Sequence, residues 1–170
     1  MNPLIRKLAK ELLHKSAIKA PPVPIDKIAK KEGVEVRYAA FEEDVSGLIY
    51  HEKNDVVIGV NAYHPKARQR FTIAHELGHY LLEHESDLLV DTNVLFRDSD
   101  SKLGVFAIER DANEFAAEIL MPQEMIKKEL LKNPIDIEDS DALAELANKF
   151  GVSTQALTYR LVNLELFKMY

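Results

Sequence analysis

Residues His75-Glu76-Leu77-Gly78-His79 set two imidazoles four positions apart, with a carboxylate directly after the first. On a helix, positions i and i+4 lie only about 40° apart, so both rings leave one face. They can then reach a single Zn²⁺ at about 2.0–2.1 Å. Glu76 projects about 100° from His75, beside the metal donors rather than among them. From there it can take a proton from a water activated by the metal. A match this short on an exposed helix also arises by chance. Against chance, Phe71, Ala74, Gly78 and Leu82 surround the pair on the same side of the helix, which turns the rings inward. Rings on such an apolar face need polar partners. Gly78 costs a helix interior about 1 kcal/mol, an expense expected where a second element approaches closely.

A catalytic zinc has three protein donors and one open position. His84 lies about 140° away from His79 on the same helix, so it is badly placed as the third. The longer pattern H-E-x-x-H-x-x-G-x-x-H is absent. The third donor is therefore expected on another segment, as a carboxylate from the predicted helix Val105–Leu120, where Glu109, Asp111, Glu114 and Glu118 are the candidates. The chain has no cysteine, which excludes disulfides, thiolate catalysis and cysteine-based zinc modules.

The elements that must position these residues follow from periodicity. Leu4, Ile5, Leu8, Leu12 and Leu13 predict a helix over Pro3–Ile18, ended by the prolines at 21, 22 and 24. A short helix, Ile25–Lys31, stops at Gly33. Three strand-like pieces follow, Val34–Tyr38, Gly47–His51 and Val56–Val60, the last two flanking a hairpin turn at 52–55. Pro65 suits the first turn of a long helix running to about His84. A strand at Leu88–Val90 or Val94–Phe96 is expected before the Val105–Leu120 helix. Helices over Pro122–Leu131, Asp141–Phe150 and Ser153–Leu164 complete the chain. The expected class is α+β: a small antiparallel or mixed sheet of about three strands packed on the active-site helix, then a mainly helical C-terminal half. Residues 1–122 form the core in this reading, and residues 123–170 a helical subdomain resembling a helix-turn-helix, continuous with it. Val56, Val57, Ile58 and Val60 suit either an edge for an extended substrate or a central strand.

Two blocks carry a family resemblance. Arg70-Phe71-Thr72-Ile73-Ala74-His75-Glu76-Leu77-Gly78-His79-Tyr80 is the first. The second is Glu109-Arg110-Asp111-Ala112-Asn113-Glu114-Phe115-Ala116-Ala117-Glu118-Ile119-Leu120-Met121-Pro122. In this order the chain resembles the ImmA/IrrE metallopeptidases, with a weaker likeness from about Pro22 to the C-terminus. The resemblance implies a gluzincin-like zinc endopeptidase with Glu109 as third ligand beside His75 and His79. It also implies cleavage of a helix-turn-helix repressor of a mobile element or stress regulon. The alternative is a non-catalytic, zinc-stabilised module that grips such a partner; Glu76, which a structural site would not need, speaks for catalysis. Helix geometry agrees with the choice of carboxylate. Taking Glu109 as origin, Ala112, Asn113, Ala116 and Leu120 all lie within about 60° of it, a stripe on which an unpaired carboxylate would be costly. Asp111, Glu114 and Glu118 fall on the opposite side, expected to be wet. Asn113, one turn beyond Glu109, is placed to bond the free ring nitrogen of a ligating histidine.

The helix-turn-helix cadence of Leu143–Leu164 raises DNA binding, but Asp141–Tyr170 has no net charge, and its second helix offers only Arg160. With a net charge of -6 for the whole chain, a direct nucleic-acid role is disfavoured. Lys66, Arg68 and Arg70 read as a solvated face. Tyr50, Tyr63, His64, Tyr80 and Arg97 are alternatives for stabilising an oxyanion, and the sequence does not choose among them. Without a signal-peptide pattern or an apolar run of membrane length, the expected compartment is the cytoplasm.

Overall fold

The computed structural model describes residues 2–52, 55–82, 88–92, 99–136 and 138–166. In chain order the elements are α1 (Pro3–Lys15), α2 (Ile25–Lys31), β1 (Val34–Ala39), β2 (Val45–Glu52), β3 (Asp55–Asn61) and α3 (Lys66–Leu81). They continue with β4 (Leu88–Thr92), α4 (Ser99–Leu120), α5 (Gln123–Lys132), α6 (Ser140–Phe150) and α7 (Thr154–Asn163). The class is α+β, as the periodicity predicts. The three expected strands form a mixed sheet near the N-terminus, and β4 adds a fourth, giving the order β1-β3-β2-β4. The alternative strand at Val94–Phe96 lies outside the described residues.

β3 pairs parallel to β1 and antiparallel to β2, with Val34 opposite Val56 and Ile49 opposite Ile58. It is buried at every position from Val56 to Asn61, because both edges and both faces are covered. Of the two readings of this strand, the central one holds, and β3 offers no free edge to a substrate. Helix α3 packs across the sheet through Ile73, Ala74 and Leu77, and α4 packs on α3 through Phe115, Ala116 and Ile119, all within one core.

The turn from β3 into α3 is held by polar side chains. Asn61 is buried; its Nδ2 donates to the carbonyls of Val45 (2.9 Å) and Glu42 (3.1 Å), and its Oδ1 accepts from the Tyr63 amide. Gln69 donates to the carbonyls of Asn61 and Ala62, both at 3.0 Å. These bonds fix where α3 starts, and hence where the histidines three turns later come to lie. Of the three residues read as a solvated face, Lys66 and Arg68 are exposed and only Arg70 departs from that reading. Lys66 bonds Gln69, Arg68 bonds the Ser46 hydroxyl, and Arg70 is half-buried. Arg70 donates to Val23 O (2.7 Å) and Gly151 O (2.9 Å), tying α3 to the segment before α2 and to the α6–α7 turn. Gly151 closes α6 in the left-handed region at φ 66°, which only glycine adopts without cost. Burial of its charge among carbonyls pushes the Arg70 pKa down.

The far end of α4 also departs from the helix-face expectation. Glu118 is not on a wet side: its residue is 3% exposed, and it pairs with the equally buried Arg160 of α7 at 2.9 Å. Arg6 of α1 approaches its other oxygen at 3.5 Å. Arg160 also donates to the Met121 carbonyl. The one basic residue of the second helix-turn-helix helix is thus an internal strut. Among the described residues, no helix is long and apolar enough to cross a membrane.

Candidate metal centre

Helix α3 brings His75 and His79 together one turn apart, with ring centroids 4.6 Å apart and planes nearly perpendicular. Both residues are buried, so the rings do turn inward. Their Nε2 atoms face each other at 2.9 Å. Glu109 reaches across from α4, with Oε2 3.3 Å from His75 Nε2 and Oε1 3.3 Å from His79 Nε2. Hydrogen bonding to His75 and then to His79 pushes the Glu109 carboxyl well below the usual carboxylate range. Its side chain is 39% exposed, and the cluster opens to solvent on that side.

Two helices meet closely enough for this because of Gly78. A Cβ built there would stand 3.3 Å from both Cα and O of Ala112 and 3.0 Å from the Phe115 ring. Gly78 and Ala112 are the small residues at the crossing; Gly78 lies one turn after His75 and directly before His79, and Ala112 lies one turn after Glu109.

Asn113 Oδ1 lies 3.1 Å from His75 Nδ1, within hydrogen-bond reach of that ring nitrogen. Phe71, one turn before His75, lies nearly parallel to its ring at 6.3 Å. Glu76 is 1% exposed, with both carboxylate oxygens shielded from solvent. Three other carboxylates of α4 are elsewhere: Asp111 faces Arg110, Glu114 accepts from the Asn2 amide, and Glu118 holds Arg160. Of the oxyanion candidates, Tyr63 is 78% exposed, Tyr50 contacts Arg37, and His64 contacts the Glu43 carbonyl. Tyr80 is partly buried against the core, and Arg97 lies outside the described residues.

The donor set fits a divalent ion. Two neutral nitrogens and one carboxylate are common protein donors to Zn²⁺. A tetrahedral ion with bonds of about 2.0–2.1 Å spaces its donors about 3.3 Å apart; here the two Nε2 atoms are 2.9 Å apart, and each lies 3.3 Å from a different oxygen of Glu109. Among the described residues, His75, His79 and Glu109 are the one group of donors gathered in this way.

The peptidase family described as the IrrE N-terminal-like domain matches residues 29–162. The chain belongs to this family. Two curated relatives are radiation response metalloproteases named IrrE, from Deinococcus radiodurans and Deinococcus deserti. Each is 38% identical over 106 residues, covering 62% of this chain and 30% or 35% of the relative. The chain therefore spans about a third of the length of these relatives. Among solved structures, a Mycobacterium tuberculosis transcriptional regulator aligns with a TM-score of 0.68, covering 92% of this chain and 46% of that one. At 18% identity this likeness is one of fold. The family match includes α3, α4 and all three donors, and leaves α1 outside.

Proposed function

We propose that this protein is a zinc endopeptidase in which His75, His79 and Glu109 hold the metal and Glu76 is the general base. The convergence of the three donors beside a buried Glu76 supports the reading above all else. Zinc, when bound, supplies Lewis acidity that polarises the scissile carbonyl and brings water within reach of a carboxylate base near neutral pH. Glu76 accepts the proton as the water oxygen bonds to the carbonyl carbon, then returns it to the amide nitrogen as the C–N bond breaks. Shielding of its oxygens from bulk solvent keeps that proton from being lost between the two steps. Asn113, within reach of Nδ1, steadies the His75 ring. Glu109 stays anionic and brings the charge of the donor set to minus one.

The substrate we assign is a helix-turn-helix repressor in the cytoplasm. Support comes from the resemblance to the ImmA/IrrE peptidases and from a fold shared with a transcriptional regulator. In this reading residues 1–122 are the peptidase core and 123–170 a helical appendage braced against it by Arg160 and Arg70. The test is Glu76→Gln, assayed for metal content and for cleavage of the repressor encoded nearest the gene. An amide can neither take nor return the proton, so the variant should keep one equivalent of zinc and lose cleavage. Retained cleavage would return the chain to the class of binding modules, and loss of zinc would make Glu76 a ligand.

A further inference from the structure

Residues 68–70 precede His75 on α3, and successive side chains leave a helix about 100° apart. These three therefore point in three directions, and each is held. Arg68 donates to the Ser46 hydroxyl of β2 at 2.8 Å. Gln69 donates to the Asn61 and Ala62 carbonyls at the end of β3. Arg70 donates to the Val23 carbonyl before α2 at 2.7 Å and to the Gly151 carbonyl at 2.9 Å. Gly151 lies in the turn between α6 and α7, flanked by the buried Phe150 and Val152, so this last anchor is the helical appendage. The turn fits closely around the guanidinium: a Cβ at Gly151 would stand 2.9 Å from Arg70 Nε and 3.3 Å from its Cζ. The appendage also holds the other donor-bearing helix, through Arg160 on Glu118 and on the Met121 carbonyl at the end of α4.

We propose that Arg70 is a positioning residue for the metal centre: by gripping the α6–α7 turn it sets the rotation of α3 about its own axis, which makes the appendage part of the scaffold of the site. The inference rests on the reading that His75, His79 and Glu109 hold zinc. Side-chain tips stand about 5–6 Å from a helix axis, so a rotation of about 2° moves a ring nitrogen by about 0.2 Å. A displacement of about 0.2 Å is already the tolerance of a metal site. Glu109 sits on a different helix and does not follow such a rotation, so its distances to the two rings change. Without Arg70, the polar anchors of this part of α3 all lie on the sheet, and the bond that joins α3 to the α6–α7 turn is gone.

The experiment measures zinc dissociation constants on the full chain by chelator competition, with urea denaturation to verify folding. Arg70→Ala should raise the constant about tenfold, the low end of the range for disturbed ligand support, and should shift the visible bands of the Co²⁺-loaded protein. Gly151→Ala crowds the same guanidinium while leaving Arg70 in the sequence, and should do likewise. Because both break one contact, the double variant should again lose about tenfold, where independent effects would multiply to about a hundredfold. Glu129→Gln weakens the α5–α6 contact away from α3 and controls for lost stability; it should bind zinc as the wild type does. A readout without metal completes the set: the ring-nitrogen NMR signals of His75 and His79 in the metal-free protein should both move in Arg70→Ala and stay in Glu129→Gln. Unchanged zinc affinity and ring signals in Arg70→Ala would overturn the proposal. So would a hundredfold loss in the double variant, or losses in Glu129→Gln equal to those in Arg70→Ala. A wild type that binds no zinc would sink the metal assignment instead, and the metal-free ring signals would then decide the role of Arg70.

Discussion

Replacing Gly78 with alanine isolates the close approach of α3 and α4 from every other feature of the site. Alanine favours a helix interior over glycine by about 1 kcal/mol, so an unobstructed position would gain that much. The position is obstructed. Of the three atoms nearest the new Cβ, the Phe115 ring at 3.0 Å can tilt, but Cα and O of Ala112 at 3.3 Å are backbone of α4. Overpacking of this kind costs about 1–3 kcal/mol, and the backbone contacts place it toward the upper end. The net expectation is a loss of about 1–2 kcal/mol in the unfolding free energy of the metal-free protein, read by urea denaturation. Restoring ordinary carbon contact of about 3.5–4.0 Å requires α4 to retreat by a few tenths of an ångström. Glu109 rides on the same helix one turn before Ala112, and metal sites tolerate displacements of only about 0.2 Å. Zinc affinity, read by competition with a chromophoric chelator, should fall about 10–100-fold, the range seen when support of a ligand is disturbed. An alanine variant that is more stable and binds zinc unchanged would refute the argument that this glycine exists for helix approach.

Glu109→Ala should lose zinc and cleavage together, while Glu114→Ala, which loses only the contact to the Asn2 amide, keeps both; zinc titration of the pair decides it. Glu118→Ala leaves the Arg160 guanidinium buried without its carboxylate and should cost about 3–5 kcal/mol by urea denaturation, so a loss below about 1 kcal/mol would mean the pair is not internal. Glu129 is held below its usual pKa by hydrogen bonds from Lys149, which joins α5 to α6, and from Lys132 within α5. The stability this lends is complete above the ordinary glutamate pKa and is lost as pH falls through the depressed folded value. Glu129→Gln should therefore flatten the acid limb of the stability–pH curve, and an unchanged limb would show that the pairs do not act.

Much of this arrangement was legible before any coordinates. Periodicity found the described helices and the first three strands, because apolar residues recur at helical or strand spacing and many of the ends carry a proline, glycine or capping residue. Asn2, Asp139 and Ser153 all accept amide hydrogen bonds at helix starts. Helix geometry also predicted that His75 and His79 share an inward face, and that Glu109 and Asn113 lie on the side of α4 turned toward them. What was not legible is long-range. Nothing local in Asn61 or Gln69 announces that they set the β3–α3 turn, since their partners are main-chain carbonyls that only the fold brings near. Arg70 has the same difficulty, with its two main acceptors 47 residues before it and 81 residues after.

Glu118 shows where helix-face arithmetic stops. The angle it gives is sound: Glu118 does lie about 180° from Glu109. The step from "opposite the metal" to "in water" assumes a helix with one packed face. In α4, Phe115, Ala116, Ile119 and Leu120 are all fully buried along the last two turns, a pattern wider than one stripe. A helix apolar over so much of its circumference must be covered on more than one side, and α1 and α7 supply that cover, each sending an arginine to Glu118. The same sequence feature explains both ends of the helix. Near Glu109, where α4 meets α3, the carboxylate remains partly exposed among the described residues. Where α1 and α7 close over the helix, a carboxylate survives burial only because two guanidiniums face it. Exchanging Glu109 and Glu118 in thought makes the difference plain, since neither position could serve as the other.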